Sequence, residues 1–340
     1  MDRYHRQILL PQIGKTGQEK LARSRVLLIG CGALGSVIAE QLARAGVGFL
    51  RIVDRDIVEL TNLQRQVLFA ESDARDSLPK AIAAVNRLRQ INSTIEIQPI
   101  VADVDATNIE EYADVDLILD GTDNVATRYL VNDLSIKRNV PWIYGACVGT
   151  EGRVMTILPG MGPCLRCIFP DPPAPGELAT CDTAGVLGPV AGVIASLQSI
   201  AAIKLLSGNA RAISHDLVSM DLWSNRIRAT DISDAKRSDC PTCAQRQFEF
   251  LNNASSRTIS LCGRDAVQIR AASKISLNTI ELAARFHEFG DVQQTPYFVR
   301  CDLREEKPIR LTVFPDGRTI VHGTDDPGRA KAIHAKYVGA

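Results

Sequence analysis

The stretch RVLLIGCGALG, residues 25–35, decides the fold. It begins as an apolar run typical of a buried strand, and a helical apolar pattern starts at Leu34. Between them, Gly30, Gly32 and Gly35 have the spacing G-x-G-x-x-G. Glycines at such a junction let the backbone approach a phosphate, and the helix N-terminus favours negative charge. The stretch predicts a nucleotide-binding turn; the alternative is a tight turn with close helix–sheet packing.

The same alternation of strand and helix patterns continues along the chain. Strands are predicted at 49–54, 95–101, 115–120 and 141–146, with helices at 79–91 and 124–138. This order predicts an α/β fold with a Rossmann-like, doubly wound, mostly parallel sheet. Strands at 153–158, 217–222 and 227–232 and a helix at 185–206 continue it, and residues from about 257 form a small C-terminal α+β module.

The composition is that of an ordinary globular chain. It has 340 residues, 39 basic and 39 acidic, and 45% of them are apolar. This excludes a disordered or collagen-like protein, and zero net charge argues against a broadly basic nucleic-acid binder. The apolar stretch 188–206 contains Gln198 and Lys204, so we expect a buried helix and no membrane partner. The N-terminus has no apolar leader pattern, and we expect a cytoplasmic protein.

Polar side chains follow the predicted strand ends. Asp54 ends the second strand, where an acidic residue can bind a ribose hydroxyl. Because the carboxyl ends of a doubly wound sheet line one crevice, Arg65, Lys80 and Asp123 can converge on nucleotide phosphates. Cations and Mg²⁺ stabilise the charge that builds in nucleotidyl transfer. Arg128 could join them or form a salt bridge. The predicted nucleotide-binding residues are Gly30, Gly32, Ala33, Gly35, Asp54, Asp56, Asn62, Gln64, Arg65, Lys80, Thr122, Asp123, Asn124 and Arg128.

Two C-x-x-C pairs predict a zinc site. Cys164 and Cys167 form one pair, and Cys240 and Cys243 form the other. Four thiolates suit tetrahedral Zn²⁺ and leave no position for substrate, so the ion would be structural and would clamp an irregular segment to the chain after the last strand of the sheet. The alternative is four free or redox-active thiols. Cys181 stands alone after a Pro-rich irregular segment, 170–182; it could capture an activated acyl group or be a small buried residue.

These motifs occur in an order that resembles the ThiF/MoeB/HesA family, bacterial relatives of ubiquitin-activating enzymes. The resemblance covers residues 1–246. It rests on Arg3-Tyr4-x-Arg6-Gln7, the glycine turn, Asp54, Asn62-Leu63-Gln64-Arg65-Gln66, Pro79-Lys80, Thr122-Asp123-Asn124, both cysteine pairs and Cys181. Ala33 departs from the pattern, since many members have glycine there.

The resemblance implies an adenylyltransferase. It would use MgATP to adenylylate the C-terminal Gly-Gly carboxylate of a ubiquitin-like sulfur carrier protein in thiamine thiazole or molybdopterin biosynthesis, releasing pyrophosphate. A cysteine desulfurase or another donor would then supply sulfur. Residues 1–250 would be the adenylation domain, and 257–340 a module of unknown role whose segment 314–324 is similar to tails of thiazole-pathway members.

The resemblance also implies residue roles. Asp54 would hold the ribose, Arg65 and Lys80 the phosphates, and Asp123 the Mg²⁺. Arg6 would reach the ATP of the neighbouring subunit in a homodimer. Cys181 matches the cysteine that in some members joins covalently to the carrier or to sulfur.

Two other functions stay open from the residues alone. An NAD-dependent oxidoreductase would explain the glycine turn and Asp54, but it leaves Arg65, Lys80 and Asp123 without a role. A non-catalytic, zinc-stabilised scaffold could bind a carrier protein after losing ATP turnover. Binding of NAD against MgATP, and pyrophosphate exchange, would separate these alternatives from the adenylyltransferase.

Overall fold

The computed structural model describes residues 3–174, 177, 181–252, 258–261, 265–270, 277–305 and 308–339. The chain divides into two compact units, Met1–Ala254 and Ser255–Ala340. The strands are β1 (Arg25–Ile29), β2 (Phe49–Asp54), β3 (Glu96–Val101), β4 (Leu117–Asp120), β5 (Trp142–Val148), β6 (Glu151–Ile157), β7 (Asp216–Asp221), β8 (Arg226–Asp231), β9 (Thr258–Leu261), β10 (Ala266–Ile269), β11 (Gly290–Gln294), β12 (Val299–Leu303), β13 (Ile309–Val313) and β14 (Thr319–His322).

Twelve α-helices lie in the described part of the chain. They are α1 (His5–Ile8), α2 (Gly14–Arg23), α3 (Ala33–Ala45), α4 (Glu71–Arg75), α5 (Lys80–Ile91), α6 (Val125–Arg138), α7 (Leu165–Ile168), α8 (Cys181–Ala184), α9 (Gly188–Leu206), α10 (Glu249–Asn252), α11 (Thr279–Phe286) and α12 (Pro327–Tyr337). The sequence patterns did not predict α1 and α2, and α9 begins three residues later than expected because residues 185–187 bridge to the end of β5.

The first unit is built on an eight-stranded sheet with the order β3-β2-β1-β4-β5-β6-β7-β8. Strands β1 to β5 run parallel, and β6, β7 and β8 continue the sheet in antiparallel pairs. The predicted doubly wound sheet is therefore confirmed. From β1 the chain passes to β2 on one side of β1, and from β3 it passes to β4 on the other side. The crevice between the ends of β1 and β4 is therefore the switch point where such sheets bind ligands.

Both faces of this sheet are covered. On one face, α3, α5 and α9 bury a core that includes Ile38, Val85 and Ile194; on the other, α6, α7 and the cysteine-rich segment cover Trp142 and Met155. Helix α9 is the one described helix whose length and apolar composition would let it cross a membrane, with 44% of that window buried. A core helix passes the same test, so this is weak evidence for a span.

The second unit is a separate antiparallel sheet with the order β11-β12-β13-β14-β10-β9. Helix α11 packs on β11 and β12, and α12 packs on β10 and β14; Phe286, Ile333 and Tyr337 of these helices belong to one core with residues of the sheet. The predicted small α+β module has this architecture.

Candidate functional site

The glycine turn makes a backbone cradle between β1, β4 and α3. Gly30 has φ +86°, and its N–H donates to the Val53 carbonyl at 2.8 Å. A Cβ built on Gly35 would lie 2.0 Å from the Gly30 carbonyl oxygen, so the two backbones touch. At Gly32, by contrast, a Cβ would meet nothing nearer than Gln66 Nε2 at 3.8 Å. The turn is closed on its strand side and open at the N-terminus of α3, where a phosphate can bind backbone N–H groups.

Asp54 ends β2 beside this turn. Its carboxylate is 8% exposed and accepts from the Cys31 N–H at 2.6 Å and from the Asp56 N–H at 2.7 Å. Burial raises the pKa of this carboxyl, and the nearby Lys80 ammonium opposes the rise. A carboxylate has about four acceptor positions, so two donors leave room for ribose hydroxyls.

Two predicted phosphate ligands, Lys80 and Arg65, follow β2 along the chain. Lys80 begins α5, is 4% exposed, and lies 3.0 Å from Asp56 Oδ2 through its Nζ. Arg65 is partly buried, and its Nη1 donates to the Thr61 carbonyl at 2.9 Å. An ammonium has three donors and a guanidinium has five, so each of these two contacts uses one donor of its side chain.

Asn62 and Gln64 lie in the same segment. Asn62 is buried, and its Oδ1 accepts from the Glu59 N–H at 3.0 Å, which fixes the turn that carries Arg65. Gln64 is exposed, and its carbonyl faces Gly188 at the start of α9. A direct nucleotide contact for either side chain stays a prediction.

The loop after β4 carries Asp123. Its neighbours hold the loop: the Thr122 hydroxyl accepts from the Asn124 N–H at 3.1 Å, and Asn124 caps α6 by accepting from Thr127. Asp123 itself is exposed, and its charge acts on both Arg55 and Arg128. An exposed carboxylate at the switch point fits the oxygen ligands that Mg²⁺ takes from protein and phosphates.

Arg128 is engaged inside the sheet. Its guanidinium donates to Asp120 Oδ2 at 3.0 Å, to the Thr122 carbonyl at 2.7 Å and to the Gly145 carbonyl at 3.0 Å. Asp120 is 1% exposed. Arg128 thus ties the end of β4 to β5, the salt-bridge alternative that the sequence left open; a direct contact with the nucleotide stays a prediction.

Three polar residues near the cradle were not among the predicted ligands. Gln66 is buried next to Gly32, and Gln198 of α9 donates to the Asp120 carbonyl at 2.8 Å. Arg55 lies 3.1 Å from Asp103. Gln198 could have been predicted as a buried polar residue, because it stands in the middle of the apolar stretch 188–206. No neighbouring residue indicates that Gln66 is buried.

Arg6 lies far from the cradle of its own chain. It is exposed on α1, whose neighbour Gln7 donates to the Ala45 carbonyl at the C-terminal end of α3. The glycine turn is at the other end of this 13-residue helix. At 1.5 Å per residue, the two ends are about 18 Å apart.

The four predicted zinc ligands meet in one cluster. Their sulfurs all lie within 4.8 Å of one another, with 4.0 Å between Cys164 and Cys167, 3.6 Å between Cys164 and Cys240, and 3.4 Å between Cys167 and Cys243. Four sulfurs at about 2.3 Å from one tetrahedral ion would be about 3.8 Å apart, so the cluster fits zinc.

The surroundings of the cluster attach it to α6. The Arg237 N–H donates to Cys167 Sγ at 3.5 Å. Asp133 of α6 accepts from the Thr242 hydroxyl at 3.0 Å and from the Phe250 N–H at 2.8 Å. The segment after β8 is therefore held against the helix that carries Arg128.

Cys181 begins α8, and its side chain is outside the described residues, as is part of the predicted irregular segment 170–182. Its role in acyl or sulfur transfer stays a prediction.

The profile of the ThiF family matches residues 4–242. The chain belongs to the ThiF family. The resemblance predicted from the ordered motifs is thus confirmed. The sulfur carrier protein ThiS adenylyltransferase of Bacillus subtilis is 42% identical over 99% of this chain and 99% of its own. The SAMP-activating enzyme E1 of Haloferax volcanii is 38% identical over 77% of this chain and 96% of its own.

Solved structures show the same fold. A crystal structure of E. coli MccB with ATP superposes with a TM-score of 0.63, at 24% identity, over 72% of this chain and 74% of that one. The names of the sequence relatives support adenylylation, and neither the oxidoreductase nor the non-catalytic scaffold finds support among them.

Proposed function

We propose that this protein adenylylates the C-terminal Gly-Gly carboxylate of a ubiquitin-like sulfur carrier. The observation that carries the proposal is the cradle at the β1–β4 switch point, with Asp54 at the end of β2, Lys80 at the start of α5 and Asp123 in the loop after β4. A relative named for ThiS is similar over both units, which favours a ThiS-type carrier and therefore thiazole synthesis over molybdopterin synthesis. We expect the enzyme to work in the cytoplasm, with a separate sulfur donor such as a cysteine desulfurase.

The chemistry joins two anions. A carrier carboxylate oxygen attacks the α-phosphorus of ATP, the bond from that phosphorus to the bridging oxygen breaks, and pyrophosphate leaves with the electron pair. No proton needs to move, so no protein base is required. The chain's residues act by position and charge: the open N-terminus of α3 binds phosphate, Asp54 holds the ribose, and Lys80 and Arg65 stabilise the departing pyrophosphate. Mg²⁺ held by Asp123 would supply further neutralisation of phosphate charge.

Zinc is proposed as a structural ion. Four cysteine ligands complete its tetrahedron, so it takes no part in the chemistry. Its place between α7 and the segment after β8 makes it a clamp for that segment.

We also propose a homodimer in which Arg6 serves the partner's site. Gln7, the neighbour of Arg6, contacts the end of α3 that lies about 18 Å from the cradle. Large apolar side chains are exposed on and just before α9 and on either side of Arg65, a pattern that marks an interface in a globular chain. They are Leu60, Val67, Leu187, Val193 and Ile200.

Pyrophosphate exchange tests the reaction. With ATP and B. subtilis ThiS as probe, Lys80→Ala or Arg65→Ala should lower the exchange rate about a hundredfold or more, because each removes a charge that stabilises the transition state. Arg87→Ala on the exposed side of α5 is the matched control and should retain the wild-type rate. Cys181→Ser should also retain it. No exchange with the wild-type enzyme, or equal loss in the Cys181 variant, would contradict these assignments.

Subunit mixing tests the shared site. Arg6→Ala and Lys80→Ala homodimers should both be inactive. After exchange of subunits, mixed dimers gain one site with an intact Lys80 and an intact Arg6 from the partner. Random pairing should restore about a quarter of wild-type activity. No recovery in dimers shown to have exchanged would contradict the arrangement.

A further inference from the structure

Tyr4 attaches the N-terminal arm, residues 3–8, to the ends of two helices. Asn92, buried directly after α5, donates through Nδ2 to the Tyr4 hydroxyl at 2.8 Å and to the Ala43 carbonyl of α3 at 2.7 Å. The Tyr4 ring lies against Gly46, which follows α3 with φ +82°. A Cβ built on Gly46 would lie 2.5 Å from Tyr4 Cζ, so the glycine leaves the room that the ring occupies.

Two further side chains hold the arm on either side of Arg6. Arg3 Nη1 donates at 2.7 Å to the carbonyl of Ile91, the last residue of α5. Gln7 Nε2 donates at 3.0 Å to the carbonyl of Ala45, the last residue of α3. The last carbonyls of a helix have no partner within the helix, so they are ready acceptors for such donors. The arm is thus docked at three points, and Arg6 between them is exposed.

The same two helices begin at the nucleotide site. Helix α3 starts in the glycine turn, and α5 starts with Lys80. The arm therefore has a fixed place relative to the site of its own subunit. In a closed two-fold dimer both subunits have the same geometry, so an arm fixed on one subunit places Arg6 at one defined point relative to the other.

We propose that Tyr4 is a positioning residue for the shared active site: its contacts with Gly46 and Asn92 set the place at which Arg6 meets the nucleotide of the partner subunit. Without Tyr4 the arm loses its central attachment, and Arg6 spreads over many positions. A cation stabilises a transition state only from the right place, and a displacement of about 1 Å can cost about a hundredfold in rate. This inference rests on the proposed function, because the shared site supplies the role of Arg6.

Pyrophosphate exchange with ATP and B. subtilis ThiS measures the effect in the full-length protein. Tyr4→Ala should lower the exchange rate about tenfold or more. Gln7→Ala is a second variant with the same expected direction, and it leaves Gln18 bonded to the Ala45 carbonyl at 2.9 Å. His5→Ala, an exposed residue of the same arm, is the matched control and should retain the wild-type rate. A wild-type rate in both Tyr4→Ala and Gln7→Ala would overturn the proposal.

Subunit mixing separates positioning of the partner's site from damage within the altered subunit. A Tyr4→Ala subunit paired with a Lys80→Ala subunit keeps its own Lys80 and receives Arg6 on an intact arm, so random pairing should restore about a quarter of wild-type activity. When Tyr4→Ala is paired with Arg6→Ala, both arms are defective. Activity should then stay at the mean of the two homodimers.

A role of Tyr4 in the fold of its own subunit alone would exchange these two results. The Lys80→Ala pairing would give no recovery and the Arg6→Ala pairing about a quarter, and that outcome would overturn the proposal. The pair Arg6→Ala with Lys80→Ala is the reference. Recovery in the reference without recovery in the Tyr4 pairing refutes the role of Tyr4 alone. No recovery in the reference, with subunit exchange demonstrated, refutes the shared site and the role of Tyr4 with it.

Gly46→Ala tests the ring contact itself. The new Cβ would displace the Tyr4 ring, so the exchange rate should fall in the wild-type background. In the Tyr4→Ala background the same change should have no further effect, because the ring is absent. Backbone strain at φ +82° is present in both backgrounds and serves as its own control. Equal fractional losses in the two backgrounds would assign the effect to strain and overturn the contact.

Discussion

Replacing Arg128 by Met tests what holds the switch point together. The guanidinium makes three hydrogen bonds to groups of β4, its following loop and β5. Methionine keeps most of the length but removes the charge, so Asp120, 1% exposed, loses its counter-ion. Breaking a buried pair from one side costs about 3–5 kcal/mol of unfolding free energy. For a unit of this size, that corresponds to a fall in Tm of about 6–20 °C.

The loss should depend on pH. Burial raises the pKa of Asp120, and Arg128 opposes that rise. Without Arg128, the folded-state pKa of Asp120 therefore moves further above its unfolded value. An acid whose pKa is higher in the folded state than in the unfolded state lowers the free energy of unfolding as the pH rises from the unfolded-state pKa to the folded-state pKa. The difference in stability between wild type and Arg128→Met should thus be smaller at pH 5 than at pH 8.

Urea unfolding followed by tryptophan emission is a suitable assay, because both tryptophans lie in the first unit. Asp120→Asn and the double variant complete a thermodynamic cycle. We expect the double variant to be more stable than the sum of the single losses predicts, by at least about 1 kcal/mol, since contacting residues couple. A loss under about 1 kcal/mol in Arg128→Met, or strict additivity, would refute the reasoning.

Three further predictions concern the glycine turn, the zinc cluster and the buried thiols. Gly35→Ala places a Cβ 2.0 Å from the Gly30 oxygen, so ATP affinity measured by calorimetry should fall about tenfold or more; an unchanged affinity would show that the turn can yield. Cys240→Ser removes one of four ligands, so zinc measured by atomic absorption should fall from about one ion per chain to a small fraction; full retention would contradict the cluster. Burial raises the pKa of Cys301 to about 11 and also raises that of Cys31, so mass spectrometry should find both unlabelled by iodoacetamide at pH 8 until the protein unfolds; native labelling of either would refute their burial.

Much of the candidate nucleotide site could be predicted from the sequence, because its signals are local. The G-x-G-x-x-G spacing places glycines where the backbones of Gly30 and Gly35 touch, and Asp54 follows at the end of the next strand. The two cysteine pairs predicted one cluster across 72 residues, because each C-x-x-C turn already presents two thiols to one ion.

Other features depend on contacts between distant elements. No pattern around Arg128 shows that its guanidinium faces Asp120 and Gly145, since that depends on β4 and β5 being neighbours. The position of Arg6 at the far end of α3 follows from how α1 packs, which the sequence did not predict. Gln66 looks like a surface residue in sequence, and packing buries it.

By itself, the sequence determined the parallel α/β class, the G-x-G-x-x-G turn and the pairing of cysteines that form one cluster, because periodicity, glycine spacing and C-x-x-C turns act over a few neighbouring residues. Tertiary structure alone decided which charges are paired inside the sheet and which end of α3 the N-terminal helix α1 contacts. Strand order and register set those relationships, and they arise only when segments far apart in the chain pack together.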